Sequence, residues 1–216
     1  MALILDQAAI SLHGAFLIRP LSLAIEAGET VTLMGPSGAG KSSLLAFIAG
    51  DLPPPLCAQG RVSLNGRDLR PLPPEARRIG RLFQDDMLFP HLTVAENLLF
   101  GMTRGPRKER LARMEEALAQ ASLEGFGPRA PHTLSGGQRT RVALFRALLA
   151  SPDAMLLDEP FAKLDMDLRH AMRSFVFGHL RERRIPSLLV THDISDAPPG
   201  GRILVIGQDG EVRPHA

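Results

Sequence analysis

TVTLMGPSGAGKSSLLAFIAG, residues Thr30 to Gly50, is the stretch whose reading decides the fold. Thr30 to Met34 is a short apolar run that reads as a buried strand, and Lys41 to Ala49 reads as an apolar helix behind it. The loop between them satisfies the pattern Gx₄GK[ST], which in this context predicts a P-loop. Its glycines allow successive backbone N–H groups to converge on phosphate oxygens, and the helix start adds its positive end. Lys41 is suited to reach the β- and γ-phosphates of a nucleotide, and the Ser42 hydroxyl to ligate Mg²⁺. The residues expected around the nucleotide are Gly35, Ser37, Gly38, Ala39, Gly40, Lys41, Ser42 and Ser43.

Such a site needs a second magnesium contact and a group that activates water. Ala154 to Glu159, AMLLDE, offers both. Four apolar residues make a buried strand whose tip presents Asp158 to the metal and Glu159 to an attacking water. Adjacent residues of a strand point in different directions, so the two carboxylates can hold different roles.

A second glycine loop leads into a helix at LSGGQRTRVALFRALLA, Leu134 to Ala150. Ser135-Gly136-Gly137, opening a helix expected from Gln138 to Leu149, makes another anion cradle. One chain would have difficulty folding both loops onto one nucleotide if they sit on separate lobes. Two copies related by a twofold axis have no such difficulty: each Ser-Gly-Gly loop closes on the γ-phosphate held by the other chain. Two nucleotides are then sandwiched between two subunits.

Composition narrows the setting. At 216 residues, 44% hydrophobic and 22% charged, the chain suits one globular domain, or one carrying a sublobe. Its formal charge, 25 − 23 = +2, argues against nucleic-acid binding by bulk charge. The basic clusters Arg77-Arg78-Arg81, Arg104 to Arg113 and Arg181 to Arg184 read as solvated faces, because glutamates are interleaved with the last two. The single cysteine, Cys57, points to a reducing compartment. No apolar run reaches the roughly 18 to 20 residues of a membrane span, and the N-terminus lacks the basic start of a secretory signal. Work at a membrane would therefore go through a partner.

Strand signals run through the first 83 residues: Leu3 to Leu12 with a short interruption, Leu17 to Ile25, Thr30 to Met34, Arg61 to Leu64 and Ile79 to Phe83. From Leu92 to Leu149 the period is helical, with helices expected over Val94 to Phe100, Arg110 to Ala121 and Gln138 to Leu149. Strands return at Met155 to Leu157, Leu188 to Val190 and Ile203 to Ile206, with a helix over Asp167 to Arg183. The order predicts an α/β core with a helical insertion between roughly Asp85 and Ala150.

Gly35 to Ser43, Gln84, Leu134 to Gln138, Met155 to Glu159, Asp165 and His192, in this order and spacing, resemble the ATP-binding subunits of ABC (ATP-binding cassette) transporters over essentially the whole chain. The resemblance implies an α/β P-loop NTPase core with a mostly parallel sheet (1–84 and 151–216), an N-terminal antiparallel β subdomain, and a helical subdomain (85–150) carrying the signature motif. It implies that Gln84 contacts the magnesium and senses the γ-phosphate, that Glu159 is the catalytic base, and that His192 is a switch contacting the γ-phosphate. Asp165 would end the loop linking the two sites, and Ser135, Gly136, Gly137 and Gln138 would contact the nucleotide of the other chain. The implied partners are a second copy, integral membrane permease subunits and a solute-binding protein, with no nucleic acid, on the cytoplasmic face of the cell membrane. Gln84 to Asn97, with Met87, Leu88 and Phe89, is similar to the stretch by which importer-type subunits receive a short helix from the permease.

Several positions depart from that pattern. With no tyrosine or tryptophan, the adenine contact falls to His13, which precedes Gly14, with Phe16 in reserve. The loop ending at Asp165 reads Ala162-Lys163-Leu164-Asp165 where Ser-Ala-Leu-Asp is usual, losing a hydroxyl and gaining a cation. Asp196 to Gly201, DAPPGG, is unable to continue the helix usual after His192-Asp193. A C-terminal regulatory domain is expected to be absent. Two rival readings share the nucleotide motifs: a soluble ABC ATPase remodelling a protein partner, in metallocluster assembly or cell-envelope signalling, and a DNA-maintenance ATPase. The second needs long coiled-coil arms, and Asp85 to Leu134 is too short for them.

Overall fold

The computed structural model describes residues 2–102 and 105–215; Arg104 of the second basic cluster lies outside them. In chain order the elements are β1 (Ala2–Leu12), β2 (Ala15–Glu26), β3 (Thr30–Met34), α1 (Lys41–Ala49), β4 (Leu56–Leu64), β5 (Arg67–Asp68) and β6 (Ile79–Leu82). Three helices follow, α2 (Val94–Gly101), α3 (Arg107–Gln120) and α4 (Gly136–Leu149). The chain then runs through β7 (Ala154–Asp158), α5 (Met166–Glu182), β8 (Ser187–Val190), β9 (Ile203–Ile206) and β10 (Val212–Pro214). It divides into two compact units, one of Met1–Arg81, Asp153–Glu159 and Arg173–Ala216, the other of Leu82–Pro152 and Pro160–Met172.

The first unit holds two sheets. Strands in the order β10-β9-β3-β8-β7-β6 form the larger one, in which β9, β3, β8 and β7 run parallel and β10 is antiparallel to β9. Every residue of β7 and β8 is buried, as a parallel sheet covered on both faces requires. Full burial of Leu156 and Leu157 stabilises the fold by about 1.5–3 kcal/mol each. The smaller sheet is antiparallel, in the order β2-β1-β4-β5.

His13 and Gly14, at φ 50° and 83°, make the two-residue turn between β1 and β2, and their left-handed backbone matches the strand twist. The interruption expected within β1 is a bulge: pairing shifts between Leu5 and Ala8, where Gln7 has φ 49°. Gly60 of β4 lies against this bulge, and a Cβ there would collide with the Gln7 carbonyl. β4 is longer than the expected Arg61 to Leu64, since its first half is specified by pairing with Ser11 and Leu12 rather than by its own composition. β10 was unforeseen for a similar reason, and its Pro214 is tolerated at a sheet edge. After Asp193 there is only a 3₁₀ turn, Ile194–Asp196, and Ala197 is extended before Pro198.

In the second unit α2 and α4 pack closely: a Cβ on Gly101 would strike the Arg146 carbonyl. Val94, Leu98, Met114, Leu118, Val142, Phe145 and Leu148 form its apolar interior. Buried Asn97 donates to the carbonyls of Phe89, Leu92 and Thr93 at 3.2, 3.2 and 2.9 Å and accepts from the Phe89 N–H at 2.9 Å, which fixes the loop before α2. Serine at the start of α4 explains why that helix begins at Gly136 rather than Gln138. Ser135 Oγ accepts from the Gln138 N–H at 3.3 Å and Gln138 Oε1 accepts from the Ser135 N–H at 2.9 Å, a capping box.

Candidate active site

β3 delivers the chain into the glycine loop at the end of the larger sheet. Gly38 and Gly40 have φ 80° and 88°, and Gly40 is the N-cap of α1. A side chain at Gly40 would also press on Leu17 and Ile18 of β2, with Leu17 Cβ 3.0 Å away. Lys41 Nζ donates to the carbonyls of Gly35 and Pro36 at 2.7 and 2.8 Å, so its ammonium lies over the loop whose N–H groups would take the phosphates.

Asp158, at the end of β7, is hydrogen-bonded to the Ser42 side chain. Burial pushes its carboxyl above the usual range, while Ser42 and the Arg81 guanidinium pull it back. A buried carboxylate with an adjacent hydroxyl is a hard-oxygen donor pair, the type from which Mg²⁺ takes one or two protein ligands beside substrate phosphates. These residues fit that ion.

Glu159 lies one residue beyond β7, with φ 49°. This left-handed turn breaks the alternation of the strand just past its tip; the position is unusual for a residue bearing a Cβ. Glu159 Oε1 lies 2.8 Å from His192 Nδ1, and Oε2 accepts from Thr191 Oγ1 at 3.3 Å. The hydrogen bond to Glu159 raises the His192 pKa above its ordinary value. His192 is open, with 71% of its side chain exposed, against 13% for Glu159. Thr191 is buried, and its one hydroxyl proton lies between Glu159 Oε2 at 3.3 Å and Asp196 Oδ2 at 3.0 Å; nothing in the sequence marks it.

The expected site residues fall into two sets. The glycine loop, Lys41, Ser42, Asp158, Glu159 and His192 share the first unit with His13, whereas Gln84, Ser135 to Gln138 and Asp165 belong to the second. His13 is exposed at its turn, and Phe16 is 44% exposed on β2 beside the Leu17 that abuts Gly40. In the second unit, Gly136 and Gly137 occupy the first turn of α4, where backbone N–H groups lack intrahelical acceptors. Asp165 Oδ1 accepts from the Leu168 N–H at 3.0 Å at the head of α5. Gln84 is exposed, and its carbonyl accepts from Lys163 Nζ at 2.9 Å. Lys163 stands out in the sequence only as a departure from the usual loop, and Asp86 and Thr140, joined by a 2.6 Å hydrogen bond, carry no signal there.

The segment after Gln84 carries apolar surface. Met87 and Phe100 are 60% and 59% exposed, while Leu88 and Phe89 are half-buried. The rings of Phe89 and Phe100 lie 4.5 Å apart.

A parallel sheet feeding a P-loop, with a buried Asp followed by a Glu at the tip of β7 and a helix opened by Ser-Gly-Gly in the second unit, defines an ATP-binding-cassette ATPase. The chain belongs to the ABC transporter family, whose model matches residues 18–162. It is 43% identical over 196 residues to the uncharacterized ABC transporter ATP-binding protein YnjD of Escherichia coli, covering 90% of each chain. It is 41% identical over 194 residues to the spermidine/putrescine import ATP-binding protein PotA of Oleidesulfovibrio alaskensis, covering 89% of this chain and 51% of that protein. The chain thus spans about half the length of PotA. Among solved structures it is similar to the ATP-binding cassette MJ0796, a dimer in a post-hydrolysis state bound to ADP and Pi, with a TM-score of 0.85, 33% identity, and coverage of 99% and 97%. Among the described residues no helix is long and apolar enough to cross a membrane.

Proposed function

We propose that this chain binds and hydrolyses ATP to power solute import, working as a head-to-tail dimer with two ATP molecules sandwiched between the P-loop of one copy and the Ser135–Gln138 loop of the other. The observation that carries the hydrolytic part is the Glu159 carboxylate, 13% exposed just past the tip of β7 and hydrogen-bonded at 2.8 Å to His192. In this reading the N–H groups of Gly38 to Ser43 and the Lys41 ammonium hold the β- and γ-phosphates, and a ring at His13 or Phe16 supports the adenine. Ser42, Asp158 and Gln84 would hold Mg²⁺, which would supply positive charge to offset the charge that develops on the phosphates. Glu159 takes the proton of the attacking water, and His192, held by Glu159, faces the γ-phosphate. Gly136 and Gly137 of the second copy close the site with first-turn N–H groups, and Asp165 lies at the join.

The exposed Met87 and Phe100, beside Phe89, support docking of a permease helix, since apolar surface of this kind marks interaction sites. In that arrangement the protein sits on the cytoplasmic face of the membrane through its permease, and a solute-binding protein supplies the cargo. The names of relatives such as PotA favour import over the remodelling of a soluble protein. Glu159→Gln tests the hydrolytic core. It keeps size and hydrogen bonding but removes the base, so turnover should fall by about 10²–10⁴-fold while ATP binding persists. Turnover at the parent rate would refute the assignment.

A further inference from the structure

Lys163 occupies a place where three motif segments of the second unit meet. Its ammonium donates to the Gln84 carbonyl at 2.9 Å and lies 3.6 Å from Asp86 Oδ2. Asp86 is buried; its Oδ1 accepts from Thr140 Oγ1 at 2.6 Å, and its Oδ2 lies 3.4 Å from Arg139 Nε. Thr140 and Arg139 are on α4, the helix that Ser135 opens. The backbone of Lys163 closes the triangle: a Cβ on Gly137 would stand 2.9 Å from the Lys163 carbonyl oxygen and 3.3 Å from Leu164 Cδ2. One residue therefore touches the Gln84 segment with its side chain and the Ser-Gly-Gly segment with its main chain, two positions before Asp165.

We infer that Lys163 is a positioning residue that ties the Gln84 segment, the Ser-Gly-Gly loop and the Asp165 loop into one body, so that displacement of Gln84 moves the half-site offered to the other copy. This rests on the function proposed above. The physical case is one of alternatives. An alanine at 163 would leave the Gln84 carbonyl and the outer face of Asp86 to water, and the segments could then move separately. The ammonium donates to the Gln84 carbonyl and at the same time pairs with the Asp86 carboxylate at 3.6 Å, and the low exposure of Asp86 keeps their attraction from being fully screened.

The test uses the full chain with Mg²⁺ and ATP. Lys163→Met keeps the stem and removes the charge; Lys163→Arg keeps the charge. Lys163→Met is expected to lower kcat about fivefold, the scale of one partly exposed charged contact. It should lower the thermal midpoint by no more than about 4 °C and leave the ATP affinity measured without Mg²⁺ unchanged, and Lys163→Arg should recover at least half of the parent kcat. Asp86→Asn is expected to lower kcat comparably, and the double variant Lys163→Met/Asp86→Asn should lose no more than the worse single one, the signature of a shared contact. Parental kcat in Lys163→Met, or losses that multiply in the double variant, would overturn the inference. Glu159→Gln is measured in the same series. Parental turnover in that variant strikes the hydrolytic reading itself, whereas parental turnover in Lys163→Met alone strikes only the tie.

Discussion

Ser135 has two possible duties, and one substitution separates them. Its hydroxyl caps α4 through the 3.3 Å bond from the Gln138 N–H, and the same hydroxyl is proposed to face the γ-phosphate bound by the other copy. Ser135→Asp preserves the first duty and reverses the second. Aspartate caps helices as well as serine does, and a negative charge at a helix N-terminus adds about 0.3–1 kcal/mol, so the folded chain should be no less stable. In the proposed closed dimer, however, the carboxylate would face a γ-phosphate. Two unit charges about 4 Å apart repel by about 4 kcal/mol at an effective dielectric of ~20. A twofold dimer contains two such sites, so even after heavy screening the ATP-driven association constant should fall at least ~10²-fold. The assay is gel filtration with ATP in the Glu159→Gln background, where hydrolysis does not dissolve the dimer, with a thermal melt as the folding control. A Ser135→Asp protein that melts normally and still dimerises with ATP at parental affinity would reduce the loop to a helix cap.

Two further outcomes are expected. His13→Asn retains a residue tolerant of the left-handed turn at φ 50° and removes the ring, and should weaken ATP binding by about 0.5–1.5 kcal/mol; parental affinity there with weakened binding in Phe16→Ala would place the adenine on Phe16. The His192–Glu159 contact raises the histidine pKa, so its stabilisation is complete below the ordinary value of 6.5 and disappears as pH rises through the raised one. With His192 71% exposed this amounts to less than about 1 kcal/mol; the difference in melting temperature between the parent and His192→Ala should shrink from pH 6 to pH 9, and a constant difference would contradict the assignment.

What the sequence reveals most readily is what chemistry constrains locally. Thr30 to Met34 and Lys41 to Ala49 emerge as the expected strand and helix because a phosphate loop needs both, and Met155 to Leu157 lies inside a fully buried strand for want of any polar residue to face water. Contacts set by distant pairing are harder to read. The first half of β4 and all of β10 carry little strand signal of their own and are fixed by β1 and β9. At the site, the left-handed Glu159 leaves no mark on the sequence, since only glycine advertises that conformation. Thr191 carries no signal beyond its place before His192, and the Lys163–Gln84 contact joins positions 79 residues apart. A lysine where the related pattern has alanine was the only signal of that contact, and it gave a place without a partner.

The trans arrangement of the two glycine loops is tested most directly by mixing two inactive chains. Ser135→Arg fills the cradle but keeps the P-loop; Lys41→Ala disables the P-loop but keeps the cradle. A heterodimer of the two has one composite site with both defects and one with neither, the intact site taking its P-loop from the Ser135→Arg chain. At equal amounts half of random dimers are of this kind, so ATPase activity should rise from near zero to about a quarter of the parent value, peaking at a one-to-one ratio. If both motifs served a nucleotide within one chain, every chain in the mixture would remain defective. Activity at all ratios no higher than that of the separate proteins, in a mixture where heterodimers form, would contradict the account.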